Sequence, residues 1–280
     1  ESVVFKKEIK NDKPKNKGNF VIDWEKNLGW KKNPFVDEII LPARESIADR
    51  SEEKKSLNLM FVQETRFASI KGKPGMGKTL VLKWLIEELH AFKDKFKVIY
   101  IPSREMKYEN FTQYLGKNMG VSSGIFSKGN VSISDIFSAA KKKSSKSNVL
   151  LIDDYDELSD DNKEIMYNMF RSIPSTRVII TYNSDSNVRL SDFGENPLKI
   201  DLDKSSFEGL REMIEKRIEN AGGIDIDPFN TVLLKNMAKK AKNNYREFLS
   251  LCNKKAVELS LGKKDEVDAF EDINEELEPD

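Results

Sequence analysis

The sequence predicts an α/β fold: a parallel sheet sandwiched between helices in three layers, followed by a small helical domain. Three observations predict it. Short, largely apolar runs (FASI at 67–70, VIYI at 98–101, VLLID at 149–153, RVIIT at 177–181) alternate with stretches whose apolar residues recur at helical spacing. Strands apolar on both faces belong in a parallel sheet covered on both sides. Beyond about residue 205 the strand pattern stops, and three helical stretches follow. A glycine-rich turn, IKGKPGMGKT at 70–79, separates the first strand from the helix after it.

Each element follows from local pattern. Residues 1–27 are Lys-rich and contain the breakers of NDKPKNKGN, which reads as a tether or peripheral segment. LGWKKNPF at 28–35 turns at Asn33-Pro34, and ARESIADRSEEKKSLNLMF at 43–61 reads as one helix with Leu57, Met60 and Phe61 on its apolar face. Leu82, Leu85, Ile86 and Leu89 give a helix over 78–92, and Pro102 stops the strand at 98–101. A helical region with Phe111, Tyr114 and Leu115 leads into a Gly/Ser-rich stretch at 120–130 and a helix near 132–143. Further helices are expected at 160–172, 206–220, 228–242 and 244–261. The tail, 263–280, carries nine acidic and two basic residues and should be solvated. The implied domains are 1–27, a core at 28–205, a helical domain at 206–262 and the tail.

Composition excludes several classes. The 47 basic and 47 acidic residues cancel, so any nucleic-acid surface must be local. Lys141-Lys142-Lys143 with Lys146 is such a patch, either a phosphate contact or a solvated run. A single Cys, Cys252, cannot form an internal disulfide, and no apolar run reaches membrane-spanning length, which makes a reducing cytoplasm the expected setting. The first residue is Glu1 rather than Met, so sequence upstream, with any anchor it carried, is expected to lie outside this chain. His90 is the only His, which excludes a His-based metal cluster and a Ser-His-Asp triad.

The glycine turn carries the chemistry. Gly72 to Thr79 fits GxxxxGK[ST] between a strand and a helix, the context that identifies a P-loop. Glycines let backbone N–H groups converge on phosphate oxygens, and the helix N-terminus adds its positive dipole end. Gly72, Pro74, Gly75, Met76, Gly77, Lys78, Thr79 and Leu80 are therefore candidate ATP-binding residues, with Lys78 reaching the terminal phosphates and Thr79 holding Mg²⁺. Asp153 ends a buried strand where ligands of parallel sheets bind, and is the natural second Mg²⁺ partner. Asp154 and Glu157 are the candidates for polarising an attacking water. Thr181 and Asn183 end the next strand. Asn183 is the better candidate for touching phosphate and water together, unless it serves only the turn Asn183-Ser184-Asp185-Ser186-Asn187.

GKPGMGKT, LLIDD and VIITYN, followed by a three-helix module, resemble an AAA+ ATPase, in particular the branch holding the initiator (origin-recognition) and ExeA-like ATPases. LGWKKNPF resembles an Asn-Pro-Phe signature of the ExeA-like group, ADRSEE at 48–53 the box upstream of the P-loop, and MIEKRIENAGG and NNYREFLSLCNKKA the lid helices. The resemblance implies a P-loop NTPase sandwich with a helical lid, Mg-dependent ATP hydrolysis that moves the lid, and assembly with further copies or a partner protein. It also implies that Arg246 faces the γ-phosphate of its own chain and that Arg189 is an arginine finger offered to a neighbour. DDYDEL also resembles the Asp-Gly-x-Asp-Glu-Leu form of NACHT-type ATPases, in which a slow nucleotide switch is the output, and in which Asp156 and Glu157 gain importance. A DNA-associated initiator role is the third alternative.

Overall fold

The computed structural model describes residues 23–262 apart from 48, 108–109, 122–130, 142–145, 195–196 and 203–204. The expectations for the N-terminal tether up to residue 22, most of the Gly/Ser-rich stretch, the Lys142-Lys143 part of the basic patch and the acidic tail fall outside the described residues.

Five strands, β1 (Phe67–Gly72), β2 (Phe96–Pro102), β3 (Ser147–Asp153), β4 (Thr176–Asn183) and β5 (Leu198–Asp201), form one sheet in the order β2-β3-β4-β1-β5. All pairings are parallel. Successive side chains of a strand point to opposite faces. Leu150, Ile152, Val178 and Ile180 accordingly enter one hydrophobic cluster, with helices α5 (Phe111–Met119), α6 (Ile133–Lys141) and α7 (Asp160–Ser172). Val149, Leu151 and Ile179 enter the other, with α3 (Ser51–Val62) and α4 (Lys78–His90). These are the three layers that the alternating pattern predicts.

Besides a short helix at Trp24–Asn27, inside the expected tether, two elements differ from the expectation. The stretch 43–61 is two helices, α2 (Ala43–Ser46) and α3, because the chain breaks at Asp49, which has φ 53°. A residue in the left-handed region cannot continue a helix. Strand β5 has no counterpart in the sequence reading. Its four residues, LKID, alternate apolar and charged and lie on the sheet edge, so they lack the apolar run that marks the central strands.

Beyond the sheet, α8 (Phe207–Asn220), α9 (Thr231–Lys240) and α10 (Tyr245–Ser260) each begin with a Ser or Asn whose side chain accepts from the first-turn backbone. They share a third cluster containing Leu210, Ile214, Leu234, Phe248 and Cys252. Trp30 and Phe35 are buried in this cluster rather than against the sheet, and Trp24 of α1 (Trp24–Asn27) packs on it. Trp24, Trp30, Phe35 and Phe229 form a chain of edge-to-face ring contacts, a favoured aromatic geometry. The N-terminal segment therefore straps the helical cluster.

Candidate functional site

The C-terminal ends of β1, β3 and β4 converge beside the glycine turn. Their registers place Gly72 opposite Asn183 and Leu151 opposite Ile179. The turn needs glycine at two points, where Gly75 has φ +82° and Gly77 has φ +85°. Gly77 then caps α4, so Lys78 and Thr79 begin the helix with their backbone N–H groups free of intrahelical partners. Consecutive N–H groups in such a turn form an anion-binding concavity.

Lys78 is 6% exposed. Its ammonium donates to the carbonyls of Gly72 (2.8 Å) and Lys73 (3.3 Å) and to Oδ1 of Asn183 (2.8 Å). Burial pulls its pKa below the ordinary lysine value, and Asp154, Asp156 and Asp153 oppose that shift. Asn183 also donates through Nδ2 to Oδ2 of Asp156 (3.0 Å), where the Ser186 hydroxyl donates too (2.6 Å). One amide thus spans Lys78 and the loop after β4.

Asp153 accepts from three hydroxyls. Oδ2 accepts from Thr79 (2.7 Å) and from the Tyr100 hydroxyl (2.8 Å), and Oδ1 accepts from Thr181 (2.7 Å). Burial, then Asp153 itself, hold the Tyr100 phenol well above its ordinary pKa, so it remains a donor. Thr181 also accepts from the Asp154 N–H (2.9 Å), which fixes the left-handed backbone of Asp154 at φ 50°. A hydroxyl and a carboxylate side by side are the hard oxygen donors that Mg²⁺ takes from a protein while phosphates and water fill its other positions. Thr79 and Asp153 fit that ion.

Asp154 lines the same cleft and pairs with Arg104 (2.8 Å), whose side chain is 60% exposed. Burial raises the Asp154 pKa and the neighbouring Asp153 raises it further, while Arg104 and Lys78 pull it down. Glu157, the other candidate for activating water, does not line this cleft. It lines a second cleft of about 830 Å³ between α7 and the loop after β4, together with Arg189 and Asp192. Arg189 is exposed there and is not brought to the glycine turn. Its loop is less free than its polar sequence predicts, because Phe193 is buried and stacks on Phe67 at 4.3 Å.

The P-loop cleft measures about 550 Å³ and is closed on its far side by Asp37, Glu38, Ile39, Met213, Arg217, Tyr245, Arg246 and Leu249. Pro74, Gly75, Gly77, Lys78, Thr79 and Leu80 form its near wall. Met76 is buried beneath the turn and Gly72 lies against Leu202. Arg246 pairs with Asp37 at 2.7 Å, with both side chains more than half exposed. Arg217 is 8% exposed and donates to three carbonyls of the N-terminal strap: Pro34 (3.0 Å), Val36 (2.9 Å) and Glu38 (2.7 Å). Arg50, also buried, reaches the Met76 carbonyl and the Ser205 hydroxyl (3.5 Å each) and lies over the Tyr245 ring.

Tyr100, Arg104, Arg217 and Asn244 were not singled out from sequence as site residues. Thr181, by contrast, is legible beside Asn183, since it lies two residues before it and shares its face of the strand. The others act across contacts between elements distant in sequence.

A family model described as the NACHT domain matches residues 66–221, more than half of the chain. No curated protein matches. Among solved structures, Cdc6p from Pyrobaculum aerophilum is similar with a TM-score of 0.60 at 16% identity, over 82% of this chain and 66% of that one. Drosophila ORC bound to DNA is similar with a TM-score of 0.56 at 16% identity, over 92% and 67%. Thermotoga maritima RuvB, a Holliday junction branch migration motor, gives 0.52 at 14% identity, over 77% and 63%. The chain thus spans about two thirds of the length of these proteins. With these proteins the chain shares the P-loop NTPase fold.

Proposed function

The chain belongs to the NACHT family of P-loop NTPases, and from that premise we propose that it binds ATP with Mg²⁺ in the P-loop cleft and hydrolyses it slowly, as a switch whose state the helical domain carries. The observation that carries this reading is the array at three adjoining strand ends: Lys78 bonded to Asn183, and Thr79 bonded to Asp153.

In this reading Lys78 and the backbone of residues 74–80 hold the phosphates, and Thr79 with Asp153 holds the metal. Bound Mg²⁺ would supply charge neutralisation at the terminal phosphates. Asn183 already positions Lys78, and is within reach of whatever Lys78 touches. Asp154 takes the part of proton acceptor. It lines the cleft, its carboxyl is more basic than an ordinary one, and Glu157 faces the other way. Its pairing with Arg104 favours slow turnover, because a carboxylate held by a guanidinium is a poor base until the pair opens. Ile39, Met213 and Leu249 supply apolar surface for a base, and Arg246 would exchange Asp37 for a phosphate. Assembly with further copies remains part of the proposal through Arg189, which is exposed on its own cleft and serves no contact at the P-loop of its own chain.

Calorimetry with Mg·ATP tests the reading. Lys78→Ala should weaken binding by at least about 100-fold, since a buried charge-assisted partner is lost. Parental affinity in that variant would refute the site.

A further inference from the structure

Asn244 is the residue that begins α10, and its side chain makes two kinds of bond. Oδ1 accepts from the backbone N–H groups of Arg246 (3.1 Å) and Glu247 (3.2 Å), which is the ordinary capping duty at a helix start. Nδ2 is not needed for that duty. It donates to the carbonyl of Pro74 (2.8 Å), at the apex of the P-loop, and approaches the sulfur of Met76 at 3.5 Å. Ser, Thr and Asp cap helices as well as Asn does, but Asp has no donor and the hydroxyls of Ser and Thr are shorter. The chain thus carries at this cap the one residue type that offers both an acceptor and an amide donor.

The P-loop is shaped for this contact. A Cβ on Gly75 would lie 2.5 Å from Oδ1 of Asn244 and 2.7 Å from Cβ of Arg246, so the loop backbone packs directly on the first turn of α10. Gly75 is glycine for two reasons, its φ of +82° and this lack of room. The chain reaches Asn244 through Lys242 and Asn243, both with positive φ (51° and 56°), a turn that aims the start of α10 at the loop. A peptide unit is planar, with its C=O and N–H pointing in opposite directions. Fixing the Pro74 carbonyl toward α10 therefore fixes the Gly75 N–H facing away from it.

We propose that Asn244 is a positioning residue: by holding the Pro74 carbonyl it sets the direction of the phosphate-binding Gly75 N–H and ties the P-loop's conformation to the orientation of α10. This rests on the P-loop being a nucleotide site, and it adds a mechanical link separate from Arg246. Nucleotide in the loop would order α10 through Asn244, and displacement of α10 would loosen the loop.

The test uses Asn244→Asp and Asn244→Ser in the full chain. Both keep a capping acceptor, and the second adds no charge near the phosphates. Melting temperature, ADP and ATP affinity by calorimetry, and amide exchange with and without ADP are measured. The expected result for both variants is a near-parental melting temperature, affinity weakened by roughly tenfold, the effect of one lost well-placed hydrogen bond, faster exchange at 74–77 without nucleotide, and loss of ADP-dependent protection at 245–250. Parental affinity and protection in both variants would overturn the proposal. So would a fall in melting temperature with faster exchange along all of α10, which would make Asn244 a cap and nothing more. If the parent bound no nucleotide, the proposed function would fail, and unchanged exchange at 74–77 in the nucleotide-free variants would then overturn this inference independently.

Discussion

The two walls of the P-loop cleft are built in different ways. On the sheet side, the polar atoms of Lys78 and Asp153 are buried and hydrogen-bonded: three oxygens surround the Lys78 ammonium, and three hydroxyls donate to Asp153. Their positions are set by strand register, and a satisfied buried network of this kind holds one geometry. On the helical side the wall meets the glycine turn through the exposed bond of Asn244 to Pro74, and the Arg246 that faces the cleft is held by the exposed pair with Asp37 of the strap. An exposed ion pair contributes little, commonly under ~1 kcal/mol. Under the proposed function the contrast would divide labour: the sheet wall is built before phosphate arrives, and the helical wall is free to answer it.

The strap formed by residues 24–38 belongs with the second wall, tied to it by the buried Trp30 and Phe35 and by Arg217. The largest expected effect on this comparison comes from Arg217→Ala. It leaves three carbonyls without their charged donor, which should cost about 2–3 kcal/mol in urea unfolding, while Arg217→Lys should recover only part, since an ammonium lacks the planar fork. A loss below ~0.5 kcal/mol, the size of an ordinary surface change, would detach the strap from the helical domain.

A smaller effect, of opposite sign, is expected on the sheet wall. Burial and Asp153 raise the Asp154 pKa, so the folded state holds that proton more tightly than the unfolded one. Ionised Asp154 therefore costs stability, in full above its raised folded pKa, and that cost shrinks as pH falls from there and is gone below the unfolded pKa. Asp154→Asn should melt at the parental temperature or slightly above it at pH 7, with Arg104 left exposed at little penalty. The parent's hydrolysis should decline on its acid side at a pH above the usual carboxylate range, and the variant should not turn over. A marked drop in melting temperature would mean that the Arg104 pair is structural.

This division also governs what the sequence makes legible. The sheet wall comes from two short continuous stretches, GKPGMGKT and VLLIDD, whose residue types and spacing state their chemistry locally. Even there, the three hydroxyls around Asp153 come from three separate elements: Thr79 and Thr181 lie in readable motifs, whereas Tyr100 shows no local signal. The helical wall is non-local throughout. Trp30 and Phe35 read as the opening of the core because they precede it in sequence, yet they pack on helices almost two hundred residues later. Arg217 and Asn244 look like ordinary helix residues until their partners, Glu38 and Pro74, are placed beside them. Strand β5 escaped notice for a related reason: an edge strand of four residues is specified by its neighbour β1 more than by its own composition.

The most direct test of the divided cleft is amide exchange of the parent protein in three states: nucleotide-free, with Mg·ADP, and with Mg²⁺ and a non-hydrolysable ATP analogue. The expected result is that both nucleotides protect 72–80 to the same degree, while peptides from 34–39 and 245–250 differ between ADP and the analogue. Identical exchange of those peptides with both nucleotides would contradict a helical wall that reads the terminal phosphate.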